Sequence, residues 1–262
     1  ARRACGNRRQ TAAGNNGQQQ AAACSNVQAT ALVEMQQHEQ VAQHYNIPSL
    51  HLAREITERM NGQQFDWKND FKNCHPSKFG HTVYASSIRR LLNKAWAEPQ
   101  PADQQPTPLS LPEPLNQYSY DQGKMVSLKE AKEMDGFKIE DSCDPRANNL
   151  GGGVRAGFHN VPMLVGTQPG DQFSLDFQGR AVGLFVAAGP DAGTIEYSID
   201  NSEFKPLNLF TRWSGGLHIP WVHVLESELP TGTHQLVVRV APTKDPRSKG
   251  HACRIVNLLI NE

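Results

Sequence analysis

The segment Phe65 to His81 gathers the residue types that could carry chemistry in the first half of this chain: Asp66, Asp70, Asn73, Cys74, His75, Ser77 and His81 among aromatic residues. A histidine beside a carboxylate can act as a general base, taking the proton of a serine hydroxyl while the acid fixes its tautomer. His75 fits the base and Asp70 is the nearest acid before Lys72; Asn73 stands two residues before the imidazole. The plainer reading of His75, a loop histidine leading into a helix capped by Ser77, stands beside the chemical one. In the second half, Phe210 to Trp221 sets Trp213, His218 and Trp221 around Gly215-Gly216, a composition suited to stacking on a sugar ring. The alternative is that both tryptophans plug a core where a loop crosses it. Trp221 follows Pro220 in the apolar run Ile219 to Val224 and is expected inside; Trp213, among Arg212, Ser214 and glycines, is expected outside. His218, His223, His234 and His251 are too dispersed for a metal signature, so no metal or cofactor is expected.

The elements that must position these residues fall into two kinds. Residues 1–26 combine four arginines with glutamine, asparagine and alanine runs and no aliphatic side chain larger than Ala, which predicts disorder or a loosely attached helix. From Val27 to Tyr45, Ala31, Leu32, Met35 and Val41 recur at helical spacing. Asn46-Ile47-Pro48 breaks that helix, Ser49 to Ala53 reads as a short buried strand, and Arg54 to Met60 reads as a second helix stopped by Asn61-Gly62. After the loop, Val83, Ile88, Leu91 and Leu92 form the apolar stripe of a third helix. Six prolines between Pro99 and Pro114 make 98–116 an extended linker. Beyond it, Phe173–Phe177, Ile195–Ile199 and Leu236–Val240 alternate as half-buried strands, Ala181–Ala187 is a more fully buried run, and Asp200-Asn201-Ser202 suits a hairpin turn. The fold class expected is α/β over 27–97, followed by an all-β sandwich, jelly-roll-like, over 117–262.

Composition excludes some partners. Twenty-six basic residues balance twenty-six acidic ones, so there is no electrostatic footprint for nucleic acid or an anionic membrane. No run reaches the roughly 18–20 apolar residues of a spanning helix. Five scattered cysteines form no C-x-x-C pair; isolated thiols are expected, with a Cys143–Cys253 disulfide left open.

The loop Phe71 to His81, with Tyr84-Ala85 in the helix after it, resembles the last sequence block of the SGNH (GDSL-type) hydrolases, in which Asp and His precede Pro, a small polar residue and the Gly that opens the final helix. The strand read at Ile47 to Leu52 agrees, and Gly183-Leu184-Phe185 through Asp200 is similar to the β-sandwiches that accompany some bacterial SGNH carbohydrate esterases. The resemblance implies a three-layer α/β domain, a serine attacking a carbohydrate ester, His75 as its base, a glycan partner and a secreted or periplasmic setting. The sequence departs from the pattern at several points. Lys72 occupies the usual Asp position, Asn73 stands where some relatives carry Asp, and the Gly-Asp-Ser and oxyanion-hole blocks are missing. Ser25 lacks the acidic neighbour, and Gly14-Asn15-Asn16-Gly17 is a chance match in low-complexity sequence. A domain of this family runs to roughly 180–200 residues. The expectation is therefore a partial, truncated hydrolase domain, inactive by itself, or a glycan- or protein-binding sandwich with a vestigial hydrolase segment.

Overall fold

The computed structural model describes residues 33–97, 105, 108 and 110–262, and the chain divides into two units between Leu115 and Asn116. The expectations for residues 1–26, Ala31, Leu32, Cys5, Cys24 and most of the proline-rich stretch concern positions outside the described residues.

In the first unit, α1 (Val33–His44), α2 (Leu52–Asn61) and α3 (Lys78–Ala95) are joined by short connections, with a π-helical turn at Trp67–Phe71. Its core is small: Ile56, Phe65, Phe71 and Val83, flanked by Met60, Trp67 and Tyr84. The expected strand at Ser49–Ala53 is not formed. His51 instead caps α2, its Nδ1 accepting from the Arg54 N–H at 3.2 Å, and Ile47 and Leu50 are exposed. No strand among the described residues of this unit offers a ladder, and a strand without one leaves its backbone groups to water. The described part is therefore helical, and the α/β layering expected for it is not seen. The apolar stripe of α3 is also only partly covered, because Val83 is buried whereas Ile88 and Leu92 are exposed.

The second unit contains β1 (Gly123–Val126), β2 (Lys132–Asp135), β3 (Lys138–Cys143), β4 (Gly153–Val154), β5 (Val161–Gly166), β6 (Gln172–Gln178), β7 (Ala181–Ala188), β8 (Thr194–Ile199), β9 (Lys205–Asn208), β10 (Leu217–Glu226), β11 (Thr233–Val240) and β12 (Cys253–Asn261). A seven-stranded sheet runs β3-β5-β12-β7-β10-β4, with β1 antiparallel to the end of β12, and a five-stranded sheet runs β2-β6-β11-β8-β9. Leu164, Leu184, Val186, Ile255 and Leu258 of the first meet Phe173, Leu175, Ile195, Leu236 and Val238 of the second in one core, the arrangement of a β-sandwich. The strands read from alternation fall in β6, β8 and β11, and the buried run Ala181–Ala187 falls in β7. Asp200 and Asn201 take φ values of 51° and 59°, and the Ser202 N–H closes on the Ile199 carbonyl, the turn that the residue types favour between two paired strands.

Cys143 and Cys253 are free. Cys253 lies in the core between the sheets, while Cys143 packs with Met163, Val165 and Ala187 in a separate cluster, so the two thiols do not meet. Burial pushes them up to about 11 and about 12, which keeps both protonated and unreactive near neutrality. No helix among the described residues is long and apolar enough to cross a membrane.

Candidate functional site

The loop carrying His75 is built from local turns hung on one aromatic anchor. Asp66 caps the π-helical turn, accepting from the Asn69 N–H at 2.6 Å, and these bonds to Asn69 hold its carboxyl below the usual range. Phe71 is fully buried, with its ring stacked on Trp67 at 5.2 Å and edge-on to Tyr84 at 5.4 Å. Lys72 reverses the chain at a φ of 82°. The Ser77 N–H returns to the Phe71 carbonyl at 2.9 Å, and the Ser77 hydroxyl caps α3 by accepting from Gly80 at 3.2 Å. Gly80 is required there: a Cβ would lie 2.6 Å from the Pro76 Cβ and 3.0 Å from the Phe71 ring.

This frame brings Asp70, Asn73 and His75 into one loop and leaves His75 exposed. Their side chains are not bonded to one another. Asp70 Oδ2 accepts from the Asp66 N–H at 2.9 Å, and Asn73 Oδ1 accepts from the His75 backbone N–H at 2.7 Å. A cleft of about 540 Å³ lies between α2 and α3, lined by Glu55, Arg59, Phe79, Thr82 and Arg90 among others. The buried Ser87 hydroxyl donates to Glu55 at 2.6 Å, and Arg90 donates to the same carboxylate. The Ser87 bond, reinforced by Arg90, lowers the Glu55 pKa although partial burial opposes it. Sequence reading missed this group, whose members lie more than thirty positions apart.

In the sandwich, both tryptophans stand at the surface, Trp213 at 40% and Trp221 at 37% exposure, which corrects the expectation of a core role for Trp221. The cause is the place of its strand. β10 pairs with β7 from Ile219 to Glu226, but among the described residues its other side is covered only at Leu217 and His218, by β4, so Trp221 lies on an open edge. The indoles touch, with centroids 5.5 Å apart and planes inclined at 44°, and the Arg212 guanidinium lies 3.9 Å over Trp213. His218 is instead fully buried against Gly189, whose missing Cβ makes room for the ring. Nearby, Arg254 donates to both oxygens of Asp191 at 2.8 and 2.7 Å, with both residues buried. Burial works against the charge on Asp191, yet the guanidinium keeps its carboxyl below the usual range. Among the described residues, no group of three His, Cys, Asp or Glu side chains could hold a metal.

No family model matches the sequence, and no curated protein does. Among solved structures, a two-domain esterase active on acetylated mannans aligns at a TM-score of 0.65 and 18% identity, covering 86% of this chain. The chain shares its fold with that esterase. The same esterase co-crystallised with mannopentaose aligns at a TM-score of 0.63, again over 86% of this chain. The chain spans 58% of the first structure's length. A family two carbohydrate esterase from Cellvibrio japonicus aligns at a TM-score of 0.33 and 12% identity, over 53% of this chain and 33% of that one, a remote likeness.

Proposed function

We propose that this chain carries the C-terminal part of an SGNH-type carbohydrate-ester hydrolase domain, its closing loop and last helix, followed by an accessory β-sandwich, from a secreted or periplasmic enzyme. The reach of the likeness to the two-domain esterase supports this reading, since 86% coverage is more than residues 116–262 can supply and must include part of the helical unit that holds the His75 loop. In the complete site a serine from the preceding half attacks the acyl carbonyl, and His75 takes its proton and returns it to the departing sugar hydroxyl. Asn73 and Asp70 are the candidates for orienting the imidazole. Asn73 is a neutral amide that cannot stabilise an imidazolium, and one carboxylate oxygen of Asp70 is already taken by the Asp66 N–H.

A base without a nucleophile has nothing to activate. The purified chain and its His75→Ala variant are expected to hydrolyse a short-chain aryl acetate at the same background rate. Addition of a polypeptide supplying the Gly-Asp-Ser and oxyanion-hole half is expected to restore turnover that His75→Ala abolishes. Restored turnover insensitive to His75 would refute the assignment. The second reading, a glycan-binding sandwich carrying a vestigial hydrolase segment, is favoured by the exposed Trp213, the sequence candidate for a sugar contact.

A further inference from the structure

We infer that the Arg212–Trp213–Trp221 edge of the sandwich is a binding site for a pyranose glycan, with the two indoles as a bent stacking platform and the guanidinium as its hydrogen-bond donor. The inference rests on the second reading, that of a glycan-binding sandwich, and locates its site; because that site lies in the second unit, it is independent of the role given to His75.

The platform is rigid before any ligand arrives. Trp213 sits in a turn whose Ser214 is fully buried and hydrogen-bonds the Ala188 carbonyl of β7 at 3.2 Å, while the Thr211 N–H donates to the Ser214 hydroxyl at 2.9 Å. Trp221 is held in mid-strand opposite Val186. Two large side chains fixed in this way lose little further conformational freedom on binding, which removes much of the usual cost of association.

The chemistry on display matches a sugar. A pyranose presents an axial C–H face and a rim of hydroxyls, so its binding site needs an aromatic surface with donors or acceptors beside it. Arg212 is exposed, and its guanidinium makes no hydrogen bond or ion pair among the described residues, so its N–H groups remain available beside the ring they cover. A groove of about 300 Å³ on the opposite face of β10, lined by Met125, Val222, Val224 and Leu259 among others, is mostly apolar, and its polar members are engaged, Lys124 with Glu262 and the Asn261 amide with the Ser119 carbonyl.

Clearance is the second, independent observation. Gly215 and Gly216 immediately follow Trp213-Ser214, and neither has a positive φ, so the backbone does not require glycine at either position. Packing does not require it either, since a Cβ at each would meet nothing within 4 Å. The two consecutive glycines, which neither the turn nor the core calls for, keep side chains off the backbone that follows Trp213, so a ligand seated on its indole can approach that backbone closely.

Affinity electrophoresis of the full chain through gels containing galactomannan, xylan, mixed-linkage β-glucan or polygalacturonate tests the site. Retardation by at least one of these is expected, with apparent affinity falling about tenfold or more in Trp213→Ala and Trp221→Ala. Gly215→Leu, which fills the cleared space, is expected to weaken retardation similarly while the melting temperature stays within about 2 °C of the parent, so lost binding is separable from lost fold. Retardation by polygalacturonate alone would assign the guanidinium to a carboxylate, and retardation by a neutral polymer would assign it to hydroxyls. Absence of retardation in every gel, or retardation unchanged by all three substitutions, would overturn the inference. So would sedimentation showing a dimer that Trp213→Ala dissociates, which would give the edge to a second copy of the chain.

Discussion

Histidines in the sandwich are held in opposite protonation preferences by their surroundings. Burial lowers the pKa of His218, and the nearby Arg254 acts in the same direction against a weaker opposing effect of Asp191; burial alone lowers that of His223. A group that binds its proton more weakly when folded stabilises the fold fully above the unfolded value, about 6.5, and progressively less as pH falls below it. His234 runs the other way. Its Nδ1 lies 2.6 Å from Asp200, which raises its pKa, so its contribution is complete below about 6.5 and is lost as pH rises through the higher folded value. The His218→Leu variant is therefore expected to lose less melting temperature than the parent between pH 7.5 and pH 5. His234→Gln is expected to be destabilised more at pH 5.5 than at pH 8.5. Thermal unfolding followed by circular dichroism across that range checks both signs, and a reversal of either would place the controlling charge elsewhere.

At the scale of elements, the helical unit depends on one close approach, that of α3 to the His75 loop over Gly80. Gly80→Ala is expected to cost about 1–3 kcal/mol, because the Pro76 ring and the buried Phe71 ring must give way, and to raise amide exchange from Phe71 to Val83 first. The elements differ in how legible they were. β6, β8 and β11 could be read from alternation because each lies inside its sheet with one face on the common core. The run Ser49 to Ala53 misled, since a short apolar stretch suits strand or helix alike and the cap at His51 decided for helix. Trp221 misled for a related reason: strand pattern gives the face but not the position in the sheet, and the open edge of β10 governs its exposure. For the His75 loop, residue types and a resemblance to a family block singled out Asp70, Asn73 and His75, but not the separate hydrogen bonds in which Asp70 and Asn73 are held. The pairing of Trp221 with Trp213 and Arg212 was not legible, because it joins a turn to the middle of a strand.

At the scale of the whole molecule, residues 116–262 own a continuous core fed by both sheets, so that fragment is expected to unfold cooperatively when expressed alone. Leu236→Ala within it is expected to cost about 2–5 kcal/mol, measured by urea denaturation. A fragment without a sharp transition would mean that the helical unit contributes to the sandwich's stability. The pairing of the unit's first and last strands has a mechanical consequence. Gly123 lies opposite Asn261 and Val126 opposite Leu258, so tension applied through the two ends of the unit acts at one end of the β1–β12 ladder. The hydrogen bonds there are loaded one after another, like the teeth of a zip, instead of all together. Under a steady pull the sandwich should therefore peel β1 away at low force before the remaining sheet gives way, a two-step extension that optical tweezers would resolve.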